Sequence, residues 1–270
     1  MGTLVMGVVN VTPDSFSDGG LWFTPEAGIA HGLELLEQGA DILDVGGEST
    51  RPGAIRTTEA EELRRVIPVI RALSRNGARI SIDTMRAAVA AQAVEAGASI
   101  VNDVSGGLAD TDMGRVVAAL QVPYVVMHWR GHSATMQRRA SYDDVVSDVR
   151  RSLSERVTDL CGQGVGRDQL ILDPGFGFAK LAEHNWSLLA HLDAVQSLGF
   201  PVLVGTSRKT FLGRLGVPEG VASRPPVQRD AATVATTVIA GLAGVWAVRV
   251  HDVASSVDAL RVVAALEAAR

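Results

Sequence analysis

Residues 78–103 read ARISIDTMRAAVAAQAVEAGASIVND and contain one complete unit of the fold. An apolar run that ends at Asp83 predicts a buried β-strand, and the alanine-rich segment after it predicts a helix over 86–95. Gly97 marks the end of that helix, and a second apolar run over 99–103 predicts another strand. Two apolar strands separated by a helix predict a parallel β-α-β unit, because parallel strands need a long crossover.

The same unit recurs along the chain. Short apolar runs predict strands over 4–10, 40–46, 78–83, 99–103, 123–128, 170–173, 201–205 and 245–251. Apolar residues at three- and four-residue spacings predict helices over 24–38, 57–75, 86–95, 112–120, 142–161, 183–198, 229–242 and 253–269. Eight repeats in 270 residues predict a single α/β domain over residues 1–270, a (β/α)8 TIM barrel with its active site at the C-terminal ends of the strands. The alternative is an open doubly wound sheet, although no Gly-x-Gly-x-x-Gly turn follows the first strand.

Composition and charge narrow the classes of function. Hydrophobic residues make up 47% of the chain, which is enough for a full core, and the net charge of -5 argues against a nucleic-acid groove. Cys161 is the only cysteine, so an internal disulfide and a multi-cysteine metal site are excluded. The sequence shows neither a basic signal-peptide start nor a long uninterrupted apolar run. We therefore expect a cytoplasmic protein that binds neither nucleic acid nor a membrane.

The strand-to-helix connections are unusually long. Residues 11–23, 47–56, 174–182 and 206–228 exceed the usual connection of about 4–6 residues. In a barrel these loops share one face, which is the catalytic face.

Three polar residues, Asp83, Asn102 and Asp173, end separate predicted strands. A carboxylate can accept two parallel N–H bonds from an amino-heterocycle, and an asparagine can both donate and accept. The set therefore predicts a site that binds the guanidine-like edge of a ring through hydrogen bonds. Taken alone, Asp83 could instead be a helix N-cap.

Cationic residues follow the last two predicted strands, where barrels commonly hold phosphate. Ser207-Arg208-Lys209 follows the seventh strand, and Arg249-Val250-His251 ends the eighth. An ion pair of Arg249 with Asp252 or Asp44 is the structural alternative. In the loop after the second strand, Arg51 could clamp a phosphate or a carboxylate, or it could be a solvated surface residue.

The remaining candidates are a metal ligand and an apolar wall. Asn10 and the acidic loop after it offer oxygens suited to Mg2+, although such residues are also ordinary in turns. Phe176 and Phe178 could form a shelf for an aromatic ring, with core packing the competing explanation for at least one of them. Met127 is a further candidate for lining a flat ring pocket.

Taken together, these loops resemble the dihydropteroate synthases, a family that sulfonamides target. The family joins 6-hydroxymethyl-7,8-dihydropterin diphosphate to 4-aminobenzoate in folate biosynthesis. The resemblance runs from the first strand to the last, and it is carried by residues 7–20, 44–53, 81–84, 102–103, 172–175, 207–209 and 249–252.

The resemblance implies a role for each candidate residue. It implies that the pterin is held by Asp83, Asn102, Asp173 and Lys209, with Met127 and Phe178 as walls. It implies that Asn10 meets Mg2+ and that the diphosphate is held by Arg51, Arg249 and His251. The 4-aminobenzoate pocket would include Phe16, Asp18, Thr50, Arg51 and Pro52, with Ser207 at its edge.

The resemblance also implies a mechanism and an assembly. The C–O bond to the diphosphate would break first, leaving a pterin-methyl cation for the arylamine to attack, with Asp18, Arg51 and Lys209 as catalytic residues. A homodimer is expected by family analogy. Two rivals remain open: a pterin-dependent methyltransferase domain, which would not need Arg51, and a non-catalytic pterin-binding paralogue, whose expected mark is loss of motif residues.

Overall fold

A computed structural model describes residues 2–12, 24–49, 56–132 and 136–270. Within these ranges the strands are β1 (Leu4–Asn10), β2 (Ile42–Gly46), β3 (Ile80–Asp83), β4 (Ile100–Asp103), β5 (Tyr124–Met127), β6 (Leu170–Asp173), β7 (Leu203–Val204) and β8 (Ala247–Val250). The α-helices are α1 (Pro25–Glu37), α2 (Glu59–Arg75), α3 (Ala87–Glu95), α4 (Met113–Leu120), α5 (Val145–Gly162), α6 (Ala182–Ala190), α7 (Leu192–Gln196), α8 (Thr210–Gly213), α9 (Asp230–Leu242) and α10 (Val253–Ala268).

The strands form one parallel sheet that closes on itself. Neighbouring strands follow the order β6-β5-β4-β3-β2-β1-β8-β7. The two end strands meet where Leu172 pairs with Val202 and the backbone N–H of Leu172 donates to the carbonyl of Pro201 at 2.9 Å. The eight strands therefore make a nearly closed barrel with helices around it. The predicted TIM barrel is confirmed, and the open doubly wound sheet is wrong.

The helices differ from the prediction in two places. The segment 183–198, predicted as one helix, is divided at His191 into α6 and α7, because His191 leaves the helical conformation with φ -126° and ψ 45°. The single turn of α8 was not predicted, because four residues are too few for a helical period to show. Among the described residues, no helix is long and apolar enough to cross a membrane.

Side chains alternate between two sides of each strand, and this alternation positions the site. One side packs against the helices. The other side faces the barrel interior and begins with an apolar cluster, here called the apolar plug, formed by Met6, Ile42, Ile100, Val125, Ile171, Leu203 and Ala247. Two residues further along the same strands, the inward positions are occupied by Asp44, Asn102, Met127, Asp173 and Arg249. The polar inward residues therefore meet at the C-terminal end of the barrel.

Candidate active site

A cavity of about 790 Å³ opens at the C-terminal ends of the strands. Every predicted site residue that the structure describes lines this cavity: Asn10, Asp83, Asn102, Met127, Asp173, Phe178, Ser207, Lys209, Arg249 and His251. The other predicted residues lie outside the described residues: Phe16, Asp18, Thr50, Arg51 and Pro52. The structure thus brings the residues predicted to bind the ring and the predicted cationic residues into one cavity.

Charged and amide side chains at the C-terminal end of the barrel form a largely buried hydrogen-bond network. The Arg249 guanidinium donates from Nε to Oδ2 of Asp44 at 2.6 Å and from Nη2 to Oδ2 of Asp83 at 2.9 Å. Asn102 donates from Nδ2 to the same Oδ2 of Asp44 at 3.1 Å. The ion pair of Arg249 with Asp44, which the sequence allowed as an alternative to a phosphate contact, is therefore present. Asp252 instead accepts from the backbone N–H of Ser255 at the start of α10.

Asp83 is not the helix cap that was considered as an alternative. The N-cap position of α3 is Arg86, whose side chain makes no capping bond. Burial raises the pKa of Asp83 to about 7, although the charge of Arg249 acts to lower it. The Asp83 carboxyl group therefore lines the cavity with a pKa close to neutral pH.

Asp173 and Lys209 both line the cavity, and the charge of each acts on the pKa of the other. Burial raises the pKa of Asp173, while a 2.7 Å bond from the backbone N–H of Gly175 to Oδ1 acts against this. Burial lowers the pKa of Lys209 to about 8, and the charge of Arg249 acts in the same direction. The Lys209 ammonium lies 4.1 Å from the ring centroid of Phe178, which is cation–π distance.

The segment after β7 turns sharply to present its side chains. Arg208 adopts the left-handed conformation with φ 57°, which is uncommon for a residue with a side chain. Its guanidinium makes a bidentate contact with Asp230, at 2.7 and 2.9 Å, so the ion pair holds the turn. On one side of the turn, Ser207 Oγ lies 2.9 Å from His251 Nδ1 and accepts from the backbone N–H of His251 at 3.1 Å.

The two phenylalanines of the loop after β6 have different surroundings. Phe176 is 1% exposed and packs in the main core, as the competing explanation required for one of the pair. Phe178 belongs to a separate cluster with Met127, and both phenylalanines line the cavity. Between them, Gly177 has φ 76°, and a Cβ there would lie 2.9 Å from Lys209 Cδ. Glycine is therefore needed for Lys209 to pass beside this loop.

The sequence of the chain is similar to that of known pterin-binding enzymes. A sequence model of one family, described as "Pterin binding enzyme", matches residues 6–251. The chain belongs to this family of pterin-binding enzymes. It is 51% identical over 262 residues to the dihydropteroate synthase of Mycobacterium leprae (strain TN), a match that covers 97% of this chain and 92% of the relative.

Solved structures agree with the sequence comparison. The structure of Xanthomonas albilineans dihydropteroate synthase with 4-aminobenzoic acid has a TM-score of 0.90 and 48% identity, and the match covers 99% of this chain and 94% of that one. A structure of the same enzyme in complex with 7,8-dihydropteroate has a TM-score of 0.86 and 45% identity at the same coverage. The predicted resemblance to the dihydropteroate synthases is confirmed, and these relatives indicate that the chain is an enzyme.

Lys180 is a cavity residue to which sequence reasoning assigned no role. Its buried ammonium donates to the carbonyls of Gly175 at 2.9 Å and Phe178 at 3.2 Å, and it lies 3.0 Å from His128 Nδ1. Burial lowers the pKa of Lys180 to about 7, and burial together with the Lys180 charge lowers the pKa of His128 well below its ordinary value. Lys180 therefore ties the loop after β6 to the end of β5. Its place in the sequence gives no sign of this burial.

The cavity residues that the structure describes offer few side-chain ligands for a metal ion. The described residues contain no group of three or more His, Cys, Asp or Glu side chains that could hold an ion. Asn10 lines the cavity at the end of β1 and supplies an amide oxygen. Because Mg2+ commonly takes one or two protein oxygens together with substrate phosphates and water, this donor fits an ion that arrives with a diphosphate.

Proposed function

We propose that the protein is a dihydropteroate synthase. It would join 6-hydroxymethyl-7,8-dihydropterin diphosphate to 4-aminobenzoate and release 7,8-dihydropteroate and diphosphate. The proposal depends on one observation: hydrogen-bonding residues suited to a pterin ring and cationic residues line the same cavity. The first group is Asp83, Asn102 and Asp173, and the second is Lys209 and Arg249. The family relationship supports the same conclusion.

The ring end of the substrate fits the side that contains Asp173 and Asn102. A pterin carries an amino group and ring N–H groups along one edge, and carboxylate and amide oxygens accept such donors. The Lys209 ammonium would donate to a ring acceptor, while Phe178 and Met127 supply apolar surface for the ring faces. Because Lys209 and Phe178 lie close together, one bound pterin ring could contact both side chains.

The diphosphate end fits the side formed by the last strand. Arg249 and His251 lie at the end of β8, and Ser207 contacts His251, so cationic and hydroxyl donors share one part of the cavity. When bound at Asn10, Mg2+ would add positive charge beside the leaving diphosphate. The protein's own donors would stabilise the same negative charge as it develops.

The proposed reaction is dissociative and needs no protein nucleophile. The C–O bond breaks and its electron pair leaves with the diphosphate, after which the 4-aminobenzoate nitrogen attacks the pterin-methyl carbon and loses a proton. The cations favour the first step because the leaving group carries the largest negative charge. Asp18, Arg51, Phe16, Thr50 and Pro52 remain proposed for the 4-aminobenzoate side, and they lie outside the described residues.

The test is product formation with each component omitted in turn. Diphosphate release and dihydropteroate mass are followed with the pterin diphosphate, 4-aminobenzoate and Mg2+, and again with a chelator. We expect product only when both substrates are present, and a loss of rate with the chelator. Pterin binding without product would support the non-catalytic paralogue instead, and the absence of pterin binding would refute both. The homodimer and the cytoplasmic location stay predictions, for which sedimentation and cell fractionation are the checks.

A further inference from the structure

Asp44 lies deeper in the barrel than the residues that line the cavity. It is completely buried, at the inward position of β2 two residues before Gly46. Gly46 is the register partner of Asp83, which does line the cavity. Among the described residues, the cavity wall is formed by the hydrogen-bond partners of Asp44 and not by Asp44 itself. Any influence of Asp44 on a ligand must therefore act through those partners.

The first partner is Arg249. The 2.6 Å bond from Nε to Asp44 and the 2.9 Å bond from Nη2 to Asp83 hold the guanidinium between two carboxylates. Because the guanidinium group is planar, two contacts on different nitrogens fix its plane as well as its position. Asp44 thus fixes the direction in which the remaining donors of Arg249 point.

The second partner is Asn102. A carboxylate paired with a guanidinium only accepts hydrogen bonds, so the side of the Asn102 amide that faces Asp44 must be the NH2 group. The amide oxygen of Asn102 is then left for other partners, and Asn102 lines the cavity. The carboxylate of Asp44 therefore decides which end of this amide is available as an acceptor.

We propose that Asp44 is a positioning residue for pterin recognition, which orients the Asn102 amide and the Arg249 guanidinium without touching the ligand. This inference rests on the proposed function. With the amide oxygen available, Asn102 can accept from the donor edge of a pterin. If the amide reversed, its NH2 group would oppose the ring donors and leave buried groups unpaired, which is costly.

The test compares Asp44→Ala with a matched control, Asp103→Ala. Asp103 is also completely buried and directly follows Asn102, but it faces the helix side, where it accepts from Ser105, Gly107 and Tyr124. Both substitutions remove a buried, hydrogen-bonded carboxylate, and both should lower stability. Only Asp44→Ala should weaken binding of 6-hydroxymethylpterin, measured by calorimetry, by about tenfold or more.

Steady-state kinetics separate positioning from a general structural effect. For Asp44→Ala, we expect the KM for the pterin diphosphate to rise while the KM for 4-aminobenzoate changes by less than about twofold. Asp44→Asn keeps one acceptor oxygen but loses the charge, so an intermediate effect of about fivefold on pterin binding is expected. If Asp44→Ala does not fold, the result for Asp44→Asn decides.

Several outcomes would overturn the inference. Pterin binding within about twofold of wild type in the folded Asp44→Ala variant, or in Asp44→Asn where that variant decides, would refute it. So would an equal loss of binding in Asp103→Ala. Because pterin binding is measured without turnover, a wild-type protein that binds pterin but forms no product would refute the synthase assignment alone. The positioning role could still be judged from the binding constants.

Discussion

The two halves of the barrel interior are built on the same strands, yet their chemistry differs. Toward the N-terminal ends, Ile42 and Ile100 belong to the apolar plug; two residues later the same strands carry Asp44 and Asn102. Burial of apolar surface stabilises a fold by roughly 25 cal/mol per Å², whereas a buried charge is costly unless it is paired. Under the proposed function, stability and recognition occupy successive layers of one barrel.

Lys209→Met should show the largest effect in the polar half. We expect kcat/KM for the pterin diphosphate to fall by about 100- to 1,000-fold, because a desolvated donor at a charged substrate is lost. Stability should stay the same or increase, because the substitution removes a charge whose burial is unfavourable, as the lowered pKa of Lys209 indicates. Kinetics and urea unfolding of the same preparation check both statements.

Lys180→Met is the matched control, because Lys180 lines the same cavity and desolvation lowers its pKa as it lowers that of Lys209. Its removal leaves the carbonyls of Gly175 and Phe178 without their ammonium donor, so stability should fall. If Lys209→Met lost stability to the same extent as Lys180→Met, with unchanged kinetics, the division between recognition and structure would be wrong for these two residues.

The pH dependence of stability should also originate in the polar half. The ordinary pKa of aspartate is 3.8, and that of Asp83 is raised to about 7. Between these values the folded protein holds a proton that the unfolded chain has lost, so stability is highest below the window and falls as the pH rises through it, by up to about 1.4 kcal/mol per pH unit. The charged groups that act on Asp83 are Arg249, Asp44, Glu62, Asp103 and Lys209.

Asp83→Asn should make this slope shallower, because the asparagine does not titrate. Urea unfolding at pH 5, 6 and 7 measures the slope for the wild type and the variant. The slope should not vanish, since burial also raises the pKa values of Asp173, Asp103 and Glu62. An identical slope in both proteins would show that Asp83 does not titrate in this window.

Ile42→Val tests the apolar half. Ile42 is completely buried in the plug, so removing one methylene should lower the free energy of unfolding by about 0.5–1.5 kcal/mol. The KM for the pterin diphosphate should not change, although Asp44 is only two residues away on the same strand. A raised KM would mean that the two layers are not separable.

The sequence could predict the strands and the polar strand ends because both depend on local patterns. Apolar runs between helical segments predicted the barrel, and polar residues at three strand ends predicted one shared site. The choice between Asp44 and Asp252 as partner of Arg249 could not be made, because closure of the barrel brings together residues that are 205 positions apart. The burial of Lys180 was not predictable either, since it depends on a loop in which Gly175, Gly177 and Ala179 have positive φ.

The smallest expected effect comes from the rim of the polar half, at the turn that presents Lys209. Asp230→Asn removes the charge that anchors the left-handed Arg208, but the pair is partly exposed, so solvent already weakens it. We expect the free energy of unfolding to fall by less than about 1 kcal/mol. The KM for the pterin diphosphate should rise only about twofold, because Thr233 still accepts from the backbone N–H of Arg208 at 3.1 Å. A much larger rise in KM would mean that the Arg208–Asp230 pair, and not the backbone contact, holds Lys209 in position, and the recognition layer would then extend to the surface of the barrel.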